Sequence, residues 1–159
     1  MRLLYFCAVV LGVFLADFFS KQYIEQSFST THYAKVLFDI FGVRLSITHA
    51  TNTGAAWGIF QDHSSILVGF RIVLIFFLLG YIAFFNKNKK YLTPFALIIS
   101  GAIGNVVDFF RYGYVVDMIG INFFGYDYPV FNIADSAICV GSVWLVVLIF
   151  FETQNTEHS

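Results

Sequence analysis

The chain has 159 residues, of which 58% are hydrophobic and 20% aromatic against only 12% charged. That balance is too apolar for an ordinary soluble domain, and a formal net charge of -1 offers no basic surface for nucleic acid. The composition describes a small integral membrane protein, read here as one membrane domain over residues 1–159.

Arg2 followed by the apolar run Leu3 to Phe19 has the form of a secretory signal, but Asp17 and Lys21 stand where a small-residue cleavage site is needed. Bulky Phe6 before Cys7 also argues against a lipid-attachment site. The run is therefore expected to stay as a first span, about residues 3–21. Asp17 and Lys21, spaced i, i+4 with the acid first, are expected to neutralise each other at its end. Residues 22–65 are polar enough to lie outside the bilayer. Within them Val43, Leu45 and Ile47 alternate with Arg44, Ser46 and Thr48, which predicts a strand. Thr51-Asn52-Thr53-Gly54-Ala55-Ala56-Trp57-Gly58 follows, a turn whose small residues admit close backbone approach, with Trp57 suited to a membrane interface.

A second span is expected at about 66–85 with one charge, Arg71, then a loop at about 86–91 holding Lys87, Lys89 and Lys90. Three lysines in so short a loop place it in the cytoplasm by the positive-inside rule. Spans at about 92–110 and 131–151, joined by an outer loop at about 111–130, complete the set. The expected fold is thus all-α: four transmembrane helices, both termini cytoplasmic, and a small extracytoplasmic β-element between helices 1 and 2. Cys7 and Cys139 fall at different depths and are expected as free thiols. Spans 1 and 2 do not resemble spans 3 and 4, so the inverted repeat of many transporters is absent.

The polar residues in and beside the spans need an explanation, because ionisable groups are costly in hydrocarbon. Gly101, Asn105 and Asp108 fall at i, i+4, i+7 and share one stripe of helix 3. Asp117 follows the end of that helix, and Asp135 opens helix 4, so topology alone brings the two carboxylates to one membrane face. Asn132 is placed to cap helix 4, and the helix dipole favours an ionised Asp135. Two carboxylates sharing one proton would then leave Asp117 as the protonated member, a pairing suited to activating water. Other hydrolytic chemistries lack parts. Ser100 has no base within the spans, since His32, His49, His63 and His158 lie in the long loop or the tail; no H-E-x-x-H zinc motif exists, and Cys139 has no histidine partner. On the residues alone, a non-enzymatic transporter or assembly subunit with paired charges stays open.

The ordered set Asp17-x-x-x-Lys21, Asn52-Thr53-Gly54-Ala55-Ala56-Trp57, Gly101 to Asp108, Gly113-Tyr114-Val115-Val116-Asp117 and Phe131-Asn132-Ile133-Ala134-Asp135-Ser136 resembles the motif set of the bacterial lipoprotein signal peptidases, signal peptidase II. The resemblance implies a four-span aspartic endopeptidase of the bacterial plasma (inner) membrane, with its active site near the extracytoplasmic face. It would act as a monomer without metal or cofactor, cutting prolipoprotein signal peptides before the cysteine that carries diacylglycerol. Asp117 and Asp135 match the catalytic pair; Asn52, Gly54, Asn105, Asp108, Asn132, Asp17 and Lys21 match positions that line or support the site. Two positions depart from the family pattern: Phe18 where glutamine is usual after the first aspartate, and Phe109 where arginine is usual after Asp108. A displaced cation is therefore expected to neutralise Asp108, Arg111 first and Arg71 second.

Overall fold

The computed structural model describes residues 2–28, 34–54, 64–86 and 88–157. Four long helices are α1 (Arg2–Ser27), α2 (Ser64–Phe84), α3 (Leu92–Tyr112) and α4 (Ile133–Glu157). Each includes a segment long and apolar enough to cross a bilayer. Between α1 and α2 lie β1 (Lys35–Ile40) and β2 (Val43–Asn52); between α3 and α4 lie β3 (Val115–Phe123) and β4 (Tyr126–Phe131). Trp57 and the expected turn beyond Gly54 fall outside the described residues, as do His32, His63 and His158.

α3 is the centre of the bundle and packs against α1, α2 and α4. Its buried residues run from Leu92 to Asp108, whereas α2 buries only Val68 and Ile75. The outer faces of the other helices present large apolar side chains such as Leu4, Leu11, Phe76, Phe77 and Val146. Lipid tails match those side chains, so helix association depends on close packing more than on burial of oil. The glycines supply it. A Cβ on Gly101 would stand 2.3 Å from the Ala134 carbonyl oxygen, and one on Gly141 would stand 2.7 Å from that of Pro94. α3 and α4 therefore touch backbone to backbone at two levels. Phe6 of α1, Ile75 of α2 and Leu92, Phe95, Ala96, Ile99 and Ala102 of α3 fill the apolar core beside this seam.

The sheet is antiparallel with strand order β1-β2-β3-β4. Its central pair joins two chain segments that are far apart in sequence, so the segment expected as an outer loop at 111–130 is a β-hairpin. The cause of the discrepancy is burial: the first four residues of β3 are buried in succession, which leaves no apolar-polar alternation to read. Val43, Leu45 and Ile47 do lie in β2 as their alternation predicts. α1 also runs six residues past its expected end at 21, to Ser27. Gly113 stops α3 in the left-handed conformation at φ 82°, its N–H donating to the Phe109 carbonyl at 2.9 Å. A second apolar cluster, Ile24 of α1 with Val116 and Met118 of β3, docks the sheet on the end of α1.

Overpacking at the α3–α4 seam should be costly because the clashing atom is backbone and cannot swing away. Gly101→Ala is expected to lower stability by about 1–3 kcal/mol, read as a lower unfolding temperature in detergent. Gly80→Ala, where nothing lies within 4 Å of the added carbon, should leave that temperature unchanged or raise it.

Candidate active site

Lys21 is fully buried, and an ammonium taken out of water requires several oxygen partners. It has three. Nζ lies 2.8 Å from Asp17 Oδ2 and 2.9 Å from Asp108 Oδ2, and it donates to Asn105 Oδ1 at 2.9 Å. Each of the two carboxylates also accepts a backbone amide. Asp17 Oδ1 accepts the N–H of Ala134 at 2.8 Å, and Asp108 Oδ2 accepts the N–H of Val116 at 3.1 Å. Those two amides belong to the residues immediately before Asp135 and Asp117. One ammonium thus fixes the backbone at both candidate catalytic positions. Gly104 makes room for it, since a Cβ there would stand 2.5 Å from Asp17 Oδ2.

Three asparagines then aim at the two carboxylates, and the orientation of each amide is forced by what its oxygen must accept. Asn105 Oδ1 faces Lys21, so its Nδ2 points the other way and donates to Asp135 Oδ1 at 2.8 Å. Asn132 Oδ1 caps α4 by accepting the Asp135 N–H at 2.8 Å, so its Nδ2 donates to Asp117 Oδ1 at 2.7 Å and to Asn105 Oδ1 at 3.2 Å. Asn52 Oδ1 accepts the Gly54 N–H at 2.9 Å, closing a local turn, and its Nδ2 donates to Asp117 Oδ2 at 2.9 Å. Asp117, Asp135, Asn52, Gly54, Asn105, Asp108, Asn132, Asp17 and Lys21 are all drawn into this one network.

Asp117 is 2% exposed, while Asp135 is half-buried and lines a cleft of about 290 Å³ between α2, β4 and α4. Asn52, Arg71, Tyr128, Phe131 and Cys139 line it too. Burial, and then the charge of Asp135, push the Asp117 carboxyl up from 3.8 to about 7, against the two asparagine hydrogen bonds that favour its ionised form. The raised value keeps a proton on Asp117 into the neutral range, beside a second carboxylate on Asp135, an arrangement in which one group could donate a proton and the other accept one.

The cation on Asp108 is Lys21, which corrects the expectation of Arg111 or Arg71. Arg111 is exposed at the end of α3, its guanidinium 4.3 Å from the Phe18 ring centroid and 4.7 Å from that of Tyr112. It stacks on aromatic faces and has no ion pair among the described residues. Arg71 lies in the cleft instead, within electrostatic reach of Asp135 and Asp117. Asp17 and Lys21 do pair, but the lysine serves three acceptors where one was expected. Ser100 is spent on packing, donating to the Val10 carbonyl at 2.8 Å. Cys7 and Cys139 are free and exposed. Sequence reasoning passed over Glu25 and His49, which pair at 2.9 Å; the signal was Glu25 standing four residues after Lys21 on one face of α1.

This assignment separates the two cations experimentally. Lys21→Met leaves two buried carboxylates without a counter-charge and should cost about 3–5 kcal/mol, whereas Arg111→Ala should cost less than about 1 kcal/mol. Unfolding in detergent with each variant checks the difference.

A sequence profile of the signal peptidase (SPase) II family matches residues 9–151. The lipoprotein signal peptidases of Staphylococcus aureus strains JH9 and Newman are each 34% identical to the chain over 155 residues, covering 95% of it and 92% of their own length. A bacterial membrane enzyme solved by the in meso method at 2.3 Å resolution superposes with a TM-score of 0.82 at 30% identity, covering 95% of this chain and 90% of its own. A second such structure, at 1.9 Å resolution, gives 0.77 at 29% identity, covering 91% and 92%. Four apolar helices, a small antiparallel sheet and these likenesses describe a multi-pass bacterial membrane protein. The motif residues and the fold lead to the same assignment, and the chain belongs to the signal peptidase II family.

Proposed function

We propose that this protein is an intramembrane aspartic endopeptidase that removes signal peptides from diacylglyceryl-modified prolipoproteins, with Asp117 and Asp135 as its catalytic pair. The observation that carries this reading is the convergence of three oriented amides on two carboxylates beside a cleft. A water held between the carboxylates attacks the scissile carbonyl carbon and gives one proton to ionised Asp135. Asp117 donates its proton to the carbonyl oxygen, which forms a tetrahedral diol without a separated charge. Collapse of the diol returns a proton to Asp117 and breaks the C–N bond, while the proton on Asp135 passes to the departing amine of the cysteine. All atoms are supplied by water and peptide, so the reaction requires no cofactor.

The membrane supports the substrate class. The cleft is bordered by Ile138 and Cys139 of α4, and Cys139 and the α4 residues beyond it are largely exposed on an apolar helix surface. A lipid-anchored cysteine can therefore approach from the side, and the name of the relatives, lipoprotein signal peptidase, supports a lipoprotein substrate. The site lies at the ends of the helices opposite the lysine-containing connection between α2 and α3. With the positive-inside rule this supports a site at the extracytoplasmic face and termini in the cytoplasm.

Purified enzyme should cleave a diacylglyceryl-modified prolipoprotein before its cysteine. Asp117→Asn and Asp135→Asn should each abolish turnover, with the double variant no worse than either single one. Substantial turnover by either single variant contradicts the pairing. Turnover should fall as pH rises through about 7, where Asp117 loses its proton. The same carboxyl has a stability signature. Its folded value is raised, so its contribution is complete below the unfolded value near about 4 and is lost as pH climbs through about 7. Asp117→Asn keeps an uncharged side chain throughout, so its unfolding temperature should gain on that of the native protein between about pH 4 and pH 7.

A further inference from the structure

Of the three amides at the pair, Asn105 and Asn132 are anchored through helices α3 and α4 to Lys21, but Asn52 sits on the sheet and is held by its own turn and by the pairing of β2 with β3. Its aim therefore depends on strand register. Between the pairs Ile47↔Ile119 and Ala50↔Asp117, three steps along β2 are matched by two along β3, so β2 carries a bulge. A ladder without it would slip by one residue and turn Asn52 to the opposite face of the sheet. The bulged stretch contains His49, whose side chain is buried, with Nδ1 3.0 Å from the Phe28 carbonyl oxygen and Nε2 2.9 Å from Glu25 Oε2. Glu25 Oε1 accepts the Tyr114 hydroxyl at 2.8 Å. The ring is thus tied to the last turns of α1 and, through Glu25, to the stretch that leads into β3. An apolar side chain would fill the same space, so a ring with an oxygen within about 3 Å of each nitrogen serves placement and not only packing.

We infer that His49 is a positioning residue for the peptidase reaction, pinning the β2 bulge to the end of α1 so that Asn52 stays in register to donate to Asp117. The inference rests on the catalytic reading above. The groups that act on Asp117 are Asp135 from α4, Lys21 from α1 and the Asn52 and Asn132 amides, and Arg71 of α2 feels its charge. Of these, only Asn52 should be displaced when His49 is lost.

The experiment measures kcat and its pH profile for the full-length enzyme, with Asn52→Ala, His49→Ala, Glu25→Ala and the two doubles that combine His49→Ala or Glu25→Ala with Asn52→Ala. Asn52→Ala should lower kcat by about tenfold to a hundredfold, the loss expected for one hydrogen bond to a charged group. It should also move the alkaline limb to higher pH, because the lost donor favoured ionised Asp117. His49→Ala should reproduce both effects, and Glu25→Ala should do so more weakly. Each double variant should be no worse than Asn52→Ala alone. Multiplying effects in the doubles, or lower kcat with the limb unmoved, would overturn the role of His49. If His49→Ala does not fold, Glu25→Ala and its double decide by the same criteria. Asp117→Asn serves as the reference: turnover in that variant would sink the catalytic reading itself, while an inactive Asp117→Asn beside a His49→Ala that behaves as native would sink only the inference drawn here.

Discussion

A single buried ammonium organises this protein. Lys21 has no exposed surface, and its three oxygen partners come from α1 and α3. Burying such an ion pair rarely adds net stability, because desolvation offsets most of the attraction. Its value lies in geometry. The two carboxylates that Lys21 holds pass the constraint to the N–H groups of Val116 and Ala134, each one residue before an aspartate of the candidate pair. A backbone hydrogen bond fixes the next residue more tightly than a side-chain contact does, because a peptide unit has few soft torsions.

The bilayer makes such a network necessary. Where no water can replace a missing partner, each buried polar atom must be satisfied within the chain or cost several kcal/mol. Asn105 and Asn132 are fully enclosed, and with Asn52 they meet the requirement while presenting their N–H groups to Asp117 and Asp135. The backbone contact of Gly101 with Ala134 brings α4 close enough for those short side chains to reach. The same polar groups therefore satisfy the membrane constraint and orient the pair.

The helices were legible in the sequence because a bilayer demands long apolar runs, and the strand at Val43–Ile47 was legible because apolar and polar residues alternate along it. The stripe of Gly101, Asn105 and Asp108 faces inward as its spacing predicts. β3 was not legible: Val115 to Met118 are all buried, so Asp117 reads as a loop residue beyond a helix end. The partner of Asp108 was missed for a related reason. Spacing along one helix favours Arg111, but Lys21 reaches Asp108 from another helix, and one-dimensional spacing carries no record of which helices adjoin. Arg111 instead covers Phe18, one of the two positions at which this chain departs from the family pattern.

The central claim is that Asp117 and Asp135 hold one proton between them near neutral pH. Aspartate carboxyls labelled with carbon-13 allow each to be titrated by NMR in the folded enzyme. The account predicts that one signal, absent from Asp117→Asn, changes near pH 7, and that the change moves to lower pH in Asp135→Asn, where the neighbouring charge is gone. A signal for Asp117 that titrates in the ordinary carboxylate range, or one that Asp135→Asn leaves unmoved, would contradict it.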